Sequence, residues 1–327
     1  MIDFRYHLVS IIAVFLALAV GLVVGATALA PKTEAVLSKL QTDLSRTNAN
    51  LTKDRQALTN QVSADQIFAG AASQRLLTGL LAGERAVVVV APGGDSAVTA
   101  GVTAALRKAG AKVTGIVSLS TTFLDTGGQN EATLTSLAQN LAVKAGVTLP
   151  TQSASPVAGQ QDAAKVLAAA LLARHSGGLA TGRSAAVLTA FSQAGYVTVS
   201  GASPLPSASL AVLVAPGGPP PQTGAEVLVA TAAALRNAGD ATVMAGSVGS
   251  VGSGSVVTAE DSAGSVSTVD NADTETGQIM TVQALRLLLD GRAPGQYGIA
   301  PQAAPSPAPA PSATPSVTTS PSPGGHS

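Results

Sequence analysis

The sequence predicts an α/β protein: a mostly parallel, doubly wound sheet with internally repeated β-α-β units, preceded by an N-terminal transmembrane helix and a helical stalk. Three observations lead there. A charge-free run fills Leu8 to Ala30. Leucines then recur every seven residues at Leu37, Leu44, Leu51 and Leu58. Finally, ERAVVVVAPGGD followed by TAALRKAG returns as SLAVLVAPGG followed by TAAALRNAG, an internal repeat rather than a chance tetrapeptide. The expected boundaries are an anchor at 1–31, a stalk at 32–82, an extracytoplasmic α/β domain at 83–299 and a Pro/Ser/Ala-rich tail at 300–327.

The opening run has 23 residues, about 34 Å as a helix, which is enough to cross a hydrocarbon core roughly 30 Å thick. The apolar region of a secretory signal is usually shorter, about 7–15 residues. Small-residue cleavage patterns exist at Ala26-Thr27-Ala28 and at Ala28-Leu29-Ala30, the second followed by Pro31. An uncleaved anchor is the expectation, with a cleaved signal as the alternative. Arg5 precedes the span and few charges crowd its far end, which places the N-terminus in the cytoplasm and the body outside. Within the span, Ala13, Ala17, Gly21 and Gly25 recur every four residues and so share one helix face, a candidate surface for helix-helix packing. An Ala/Gly-rich composition supplies the plainer explanation. His7 is a solitary imidazole at the membrane edge, which reads as interfacial rather than as a ligand.

In the stalk the leucines occupy heptad position a, with Leu40 at d, but later d positions hold Thr47, Asp54 and Gln61. Self-pairing and packing onto the chain's own domain both remain open there. Taken with the small-residue stripe, the pattern predicts a homo-oligomer.

The body opens near Gly83 with a buried strand, a Pro-Gly turn, an amphipathic helix closing at Gly110 and a second strand; the repeat has the same order. Between the two units, AAKVLAAALLARH reads as a helix and AAVLTAFSQAGYVTVSG as another helix or a strand pair. After them come an expected strand near Ser255–Ala259 and a helix from about Gly277 to Leu289. Strands alternating with helices imply helices on both faces of a mostly parallel sheet. The tail from Ala300 carries 8 of the 19 prolines and no charge, so it is expected to be disordered and partly polyproline II.

Composition excludes several functions. With 18 basic and 18 acidic residues and only 2% aromatics, there is neither a field nor a stacking surface for nucleic acid. The absence of cysteine removes disulfides, thiolate metal sites and Cys nucleophiles. The two APGG turns match neither dinucleotide nor P-loop patterns and read as tight connections, so no cofactor is expected. His175 is the body's one histidine and sits beside Arg174 at a helix end, where cations are favoured; no G-x-S-x-G accompanies it. No catalytic residues and no enzyme are expected. Asp270, Asp273 and Glu275, in VSTVDNADTETGQ, are candidate oxygen ligands for a hard cation, against the competing reading that Asp273, Thr274 or Thr276 caps the helix that follows. Beyond the initiator, the soft ligands are Met244 and Met280, and His326 stands alone in the tail.

The opening DFRYHLVSIIAVFLALAVGLVVG, the Leu-periodic stalk, RAVVVVAPGGD, VSLSTTFLD, the VSTVDN…TGQIMTVQAL block and the closing GQYG together resemble the actinobacterial copper transport protein family typified by MctB. The resemblance runs from Met1 to about Ile299. It implies a cell-envelope protein, described for the family as associated with the outer membrane or with pores, that helps keep intracellular copper low, with the copper ion as transported species. The family offers no ligand set to carry over residue by residue. One apolar helix crosses a membrane once, and nothing here supplies the roughly 10-residue alternating strands of an outer-membrane barrel. The expectation is therefore an oligomeric, single-pass subunit whose partners are the membrane, its own copies and other cell-envelope proteins. The alternative is a non-catalytic structural or adaptor protein of the envelope.

Overall fold

A computed structural model describes residues 4–150, 155–174, 181–202, 204–221 and 223–307. The expectations for His175, His326 and the tail beyond 307 concern positions outside the described residues. The chain divides into two units, Met1–Asp65 and Gln66–Ser327.

The first unit is helical throughout its described length, as part of α1 (Phe4–Leu77). Within it, Tyr6–Ala26 is long and apolar enough to cross a membrane by length and composition, a test that a signal sequence also passes. A Cβ added at Gly21 or Gly25 would meet nothing within 4 Å, so that part of the small-residue stripe is open. Leu37, Leu40, Leu44, Leu51 and Leu58 are all 60–70% exposed.

The second unit opens with the last turns of α1 and continues through β1 (Arg85–Val90), α2 (Ser96–Lys108), β2 (Lys112–Leu119), the single turn α3 (Thr121–Leu124) and α4 (Gly128–Ala145). Then come α5 (Ala158–Leu171), α6 (Thr181–Gln193), β3 (Val197–Gly201), β4 (Leu210–Val214), α7 (Gly224–Ala238) and β5 (Ala241–Ala245). It closes with α8 (Val256–Ala263), β6 (Ser267–Val269), α9 (Glu275–Leu289) and β7 (Gln296–Tyr297). The strands form one seven-stranded sheet in the order β3-β2-β1-β4-β5-β6-β7. Every neighbouring pair is parallel except β2 with β3.

The pleat explains why RAVVVV and LAVLV read as continuous apolar runs. Side chains alternate across a strand, and a parallel sheet covered on both faces needs both sets apolar. Val87, Val89, Ala211 and Leu213 enter a core shared with Leu134, Leu167, Phe191 and Leu228 from α4, α5, α6 and α7. Ala86, Val88, Leu210 and Val212 enter a separate core shared with Val102 and Leu106 of α2, Val282 and Leu285 of α9, and Leu77 at the end of α1. Each fully buried Val or Leu here contributes about 1.5–3 kcal/mol.

Several sequence expectations shift. The strand expected near Ser255–Ala259 is the helix α8, which starts after Ser255 and stops at Gly264 in a left-handed cap. The β-branched run Val256-Val257-Thr258 is too short to outweigh burial of Val256 and Val257 in the α7 core. AAVLTAFSQAGYVTVSG resolves into α6 followed by the antiparallel edge strand β3. The segment GQNEATLTSLAQNLAVKA, unassigned from sequence, is α4, with Leu134, Ala138 and Leu141 on its buried face. Backbone pairing also continues past Ala300: Ala304 accepts from the Gly298 N–H and donates to the Gln296 carbonyl.

Candidate functional site

Three places could hold chemistry: the paired APGG loops, the two methionines, and the acidic stretch at the end of β6. The APGG loops lie at the carboxyl ends of β1 and β4. There the chain turns one way to β2 and the other way to β5, which is where open α/β sheets usually bind ligands. In this chain the loops bond to each other. The Gly217 N–H donates to the Gly93 carbonyl at 3.1 Å, the Gly94 N–H to the Ala91 carbonyl at 2.8 Å, and Ser250 Oγ to the Pro216 carbonyl at 2.7 Å. The first N–H groups of α2 face Asp95, whose carboxylate accepts from the Ala97 N–H at 2.7 Å. An anion at that helix end would meet a negative charge. The cleft outside the loops, about 340 Å³, is walled by Pro92, Pro216, Pro219, Pro220 and Pro221, which have no N–H to offer, and by Gly93, Thr121, Leu124, Gly217 and Gly218.

Met244 of β5 is 0% exposed and belongs to the core beneath α4–α7, whereas Met280 of α9 is 6% exposed and belongs to the opposite core. The sheet separates the two thioethers, so they cannot share an ion. His7 is exposed on α1.

The acidic stretch is more informative. The strand β6 lies between β5 and the two-residue β7, pairing Thr268 with Gln296 and Val269 with Tyr297. Next in the chain, Asp270 is 2% exposed, and its carboxylate accepts from the Ile299 and Ala300 N–H groups, each at 2.8 Å. Both bonds are charge-assisted and close the chain over the sheet's last strand. They require Gly298: its φ is +134°, and a Cβ there would stand 1.8 Å from Asp270 Oδ1. VSTVDN and GQYG, far apart in sequence, are thus two sides of one corner.

Asn271 extends that corner. Its backbone carbonyl accepts from Thr274 N and Thr274 Oγ1, and a Cβ at Gly277 would lie 2.0 Å from it. Thr274 is the residue that caps α9, its Oγ1 accepting from the Gly277 N–H at 3.1 Å. Beside it, the Glu275 N–H donates to Gln66 Oε1 at 2.8 Å. The Glu275 carboxylate lies 3.8 Å from Lys108 Nζ, which also donates to Ser73 Oγ at 3.2 Å. This network ties the last turns of α1 to α2 and α9.

The three candidate metal ligands therefore serve different surroundings. Asp270 is occupied by backbone donors, Asp273 is exposed, and Glu275 faces Lys108. Among the described residues no group of three or more His, Cys, Asp or Glu side chains is placed to hold a metal ion.

Two further acids, which the sequence reading passed over, sit next to this corner. Glu260 of α8 is 0% exposed; its Oε1 accepts from the Ser265 and Val266 N–H groups at 2.8 Å and from Ser265 Oγ, while Oε2 has no partner. Burial pushes its carboxyl above the usual glutamate range. Burial likewise raises Asp261, whose carboxylate accepts from Thr268 Oγ1 at 2.5 Å and whose backbone carbonyl accepts from Gln296 Nε2 at 2.9 Å. Only a helical period for α8, which the β-branched run concealed, would have turned Glu260 inward.

Comparison with known proteins adds the family. The profile described as copper transport outer membrane protein, MctB, matches residues 1–307. The copper transporters MctB of Mycobacterium bovis and Mycobacterium tuberculosis are each 32% identical over 307 residues, covering 91% of this chain and 96% of the relative. That of Mycobacterium leprae is 32% identical over 311 residues, with the same coverage.

Two outcomes follow from the corner. Asp270→Asn keeps the size but puts an amide N–H against one of two backbone N–H groups, and should cost about 1–3 kcal/mol of stability in urea unfolding; a loss under about 0.5 kcal/mol would reduce the corner to a surface detail. For Glu260 the sign is opposite to that of a salt-bridged acid. Its folded value lies above its unfolded one, so its contribution is whole below about pH 4 and is lost as pH rises through the folded value. Glu260→Gln, which cannot ionise, should therefore gain stability relative to the parent as pH rises from 4 to 8, and a difference that stays flat across that range would show that Glu260 does not titrate there.

Proposed function

The chain belongs to the MctB family of copper transport proteins, and from that premise we propose that it serves copper transport at the cell envelope, helping to keep intracellular copper low. The observation that carries the reading is the family match across residues 1–307, which includes the apolar helix, the sheet and the corner at Asp270. In this reading the copper ion is cargo. The chain is a single-pass protein with its N-terminus in the cytoplasm and its body outside, and it has no enzymatic role and no resident cofactor.

The same proposal includes self-association. The open stripe of Ala13, Ala17, Gly21 and Gly25 lets two helices approach closely, and the exposed leucines of the heptad need a partner surface. It also takes β1-α2-β2 and β4-α7-β5, with their matching APGG turns, as two copies of one β-α-β unit in a doubly wound sheet. Envelope proteins are the further partners, reached through the stalk and the Pro/Ser/Ala-rich tail.

A second reading is a structural or adaptor protein of the envelope, and it accords with the described residues bringing together no group of three or more His, Cys, Asp or Glu side chains.

Deleting the gene should raise cell-associated copper and lower the copper concentration that stops growth. Unchanged metal content on copper-loaded medium, together with co-purifying envelope proteins, would select the adaptor reading instead. Crosslinking in native membranes should trap multimers, and Gly21→Leu with Gly25→Leu should reduce them; a strict monomer would remove self-association from the proposal.

A further inference from the structure

The two outer strands of the sheet are left differently. At the β7 edge the chain folds back, and Ala304 bonds to both Gln296 and Gly298. At the other edge β3 pairs with β2 alone. The Ser120 N–H donates to the Tyr196 carbonyl at 2.9 Å, one step beyond the Leu119–Val197 pair, and this fixes the phase of the ladder. Bonded residues alternate along an antiparallel pair, so the backbone groups of Thr198 and Ser200 face β2 while the N–H and C=O of Val199 face away from it. Among the described residues no other strand or turn bonds to Val199. Edge strands are commonly blunted by a lysine, a proline or a bulge, and VTVSG has none of these.

Beside that free edge lies a groove. Val199 and Leu205 on the strand side, with Leu188, Thr189 and Ser192 of α6 opposite, line a cavity of about 230 Å³, and none of its lining residues is charged. Thr189 and Ser192 are exposed, so the groove is open to a partner. A strand edge next to a helix is how sheets take up extended peptides. The peptide backbone pairs with the edge, and alternate side chains enter the groove between strand and helix.

We propose that this groove takes residues 316–320 of a second copy of the chain, paired as a strand with β3 and with Val317 in the cavity. In the sequence of residues 308–327 the longest proline-free run is SVTTS, five residues. Proline cannot donate to a ladder, so this run is where the tail can pair, and its valine and threonines favour strands. Neither the run nor the groove carries a charge, so nothing is left unpaired when water is excluded between them. Reach decides which copy supplies it. Pairing of the chain at β7 ends with Ala304, and β3 is six strand spacings away, about 29 Å in a straight line through the sheet. Twelve residues lead from Ala304 to Ser316, about 37 Å as polyproline II, which is too short for the way around a helix layer about 10 Å thick. The segment therefore comes from another copy, and for that copy the proposal rests on the self-association proposed above.

The chain has no cysteine, so introduced thiols report alone. Two differently tagged full-length chains are co-expressed, one with Ser192→Cys and the other with Val317→Cys, and native membranes are oxidised with diamide. A disulfide-linked heterodimer is expected, with about tenfold less when Val143→Cys on the exposed face of α4 replaces Ser192→Cys, because the bond forms only between Cα atoms within about 7 Å. Thr318→Pro with Thr319→Pro in the tail should remove most of the product. Successive N–H groups of a strand point opposite ways, so one of these two must face β3. Equal yields with and without the prolines, or with Val143→Cys in place of Ser192→Cys, overturn the proposal. So does a disulfide that forms only within a chain carrying both cysteines, which would seat the tail in its own groove. Multimers trapped through lysines in the same membranes without the heterodimer overturn it and leave the self-association of the first unit standing; absence of both removes the two together.

Discussion

The requirement that β1 and β4 be covered on both faces organises the second unit. Both strands pair in parallel at the centre of the sheet, and a parallel ladder leaves no face for water. Helices must then lie on each side, and alternate residues of a single strand feed two cores that never mix. That separation has chemical consequences. It buries Met244 and Met280 on opposite faces, so the only soft ligands of the body are assigned to packing. It also brings the two strand ends together, and the APGG loops satisfy each other across the position where a related sheet would bind a ligand.

A sheet built outward from such a centre has to be closed at its edges, and the two edges are closed differently. On one side the chain reverses direction and β3 pairs antiparallel with β2. On the other, β7 has only two residues, too few to hold by ladder hydrogen bonds alone. The Asp270 carboxylate supplies the rest by gripping the backbone just beyond it, through the gap left by Gly298. Sequence blocks that read as separate signatures are thus parts of one mechanical closure.

How much of this was legible follows the range of each interaction. The strands RAVVVV and LAVLV and the APGG turns were readable because burial on both faces and Pro-Gly chemistry are local. Thr274 was among three candidate caps because capping is local too. The role of Asp270 was hidden because its partners lie 29 and 30 residues further along the chain, and nothing in VSTVDN names them. Read alone, three acids within six positions suggest a cation; folded, they face backbone N–H groups, solvent and a lysine. In α8 the misleading signal was β propensity, a preference that gives way when a helix buries the same valines.

A membrane transport role places demands that the two units meet unequally. Moving an ion across a bilayer needs a path shielded from lipid, and one helix encloses nothing by itself. In the first unit Tyr6–Ala26 is the described candidate span, and its polar content is slight. The second unit is an α/β body whose buried acids are taken up, Asp162 by Lys165 and Glu260 and Asp270 by backbone N–H groups. A path shielded from lipid therefore needs more than this one described span.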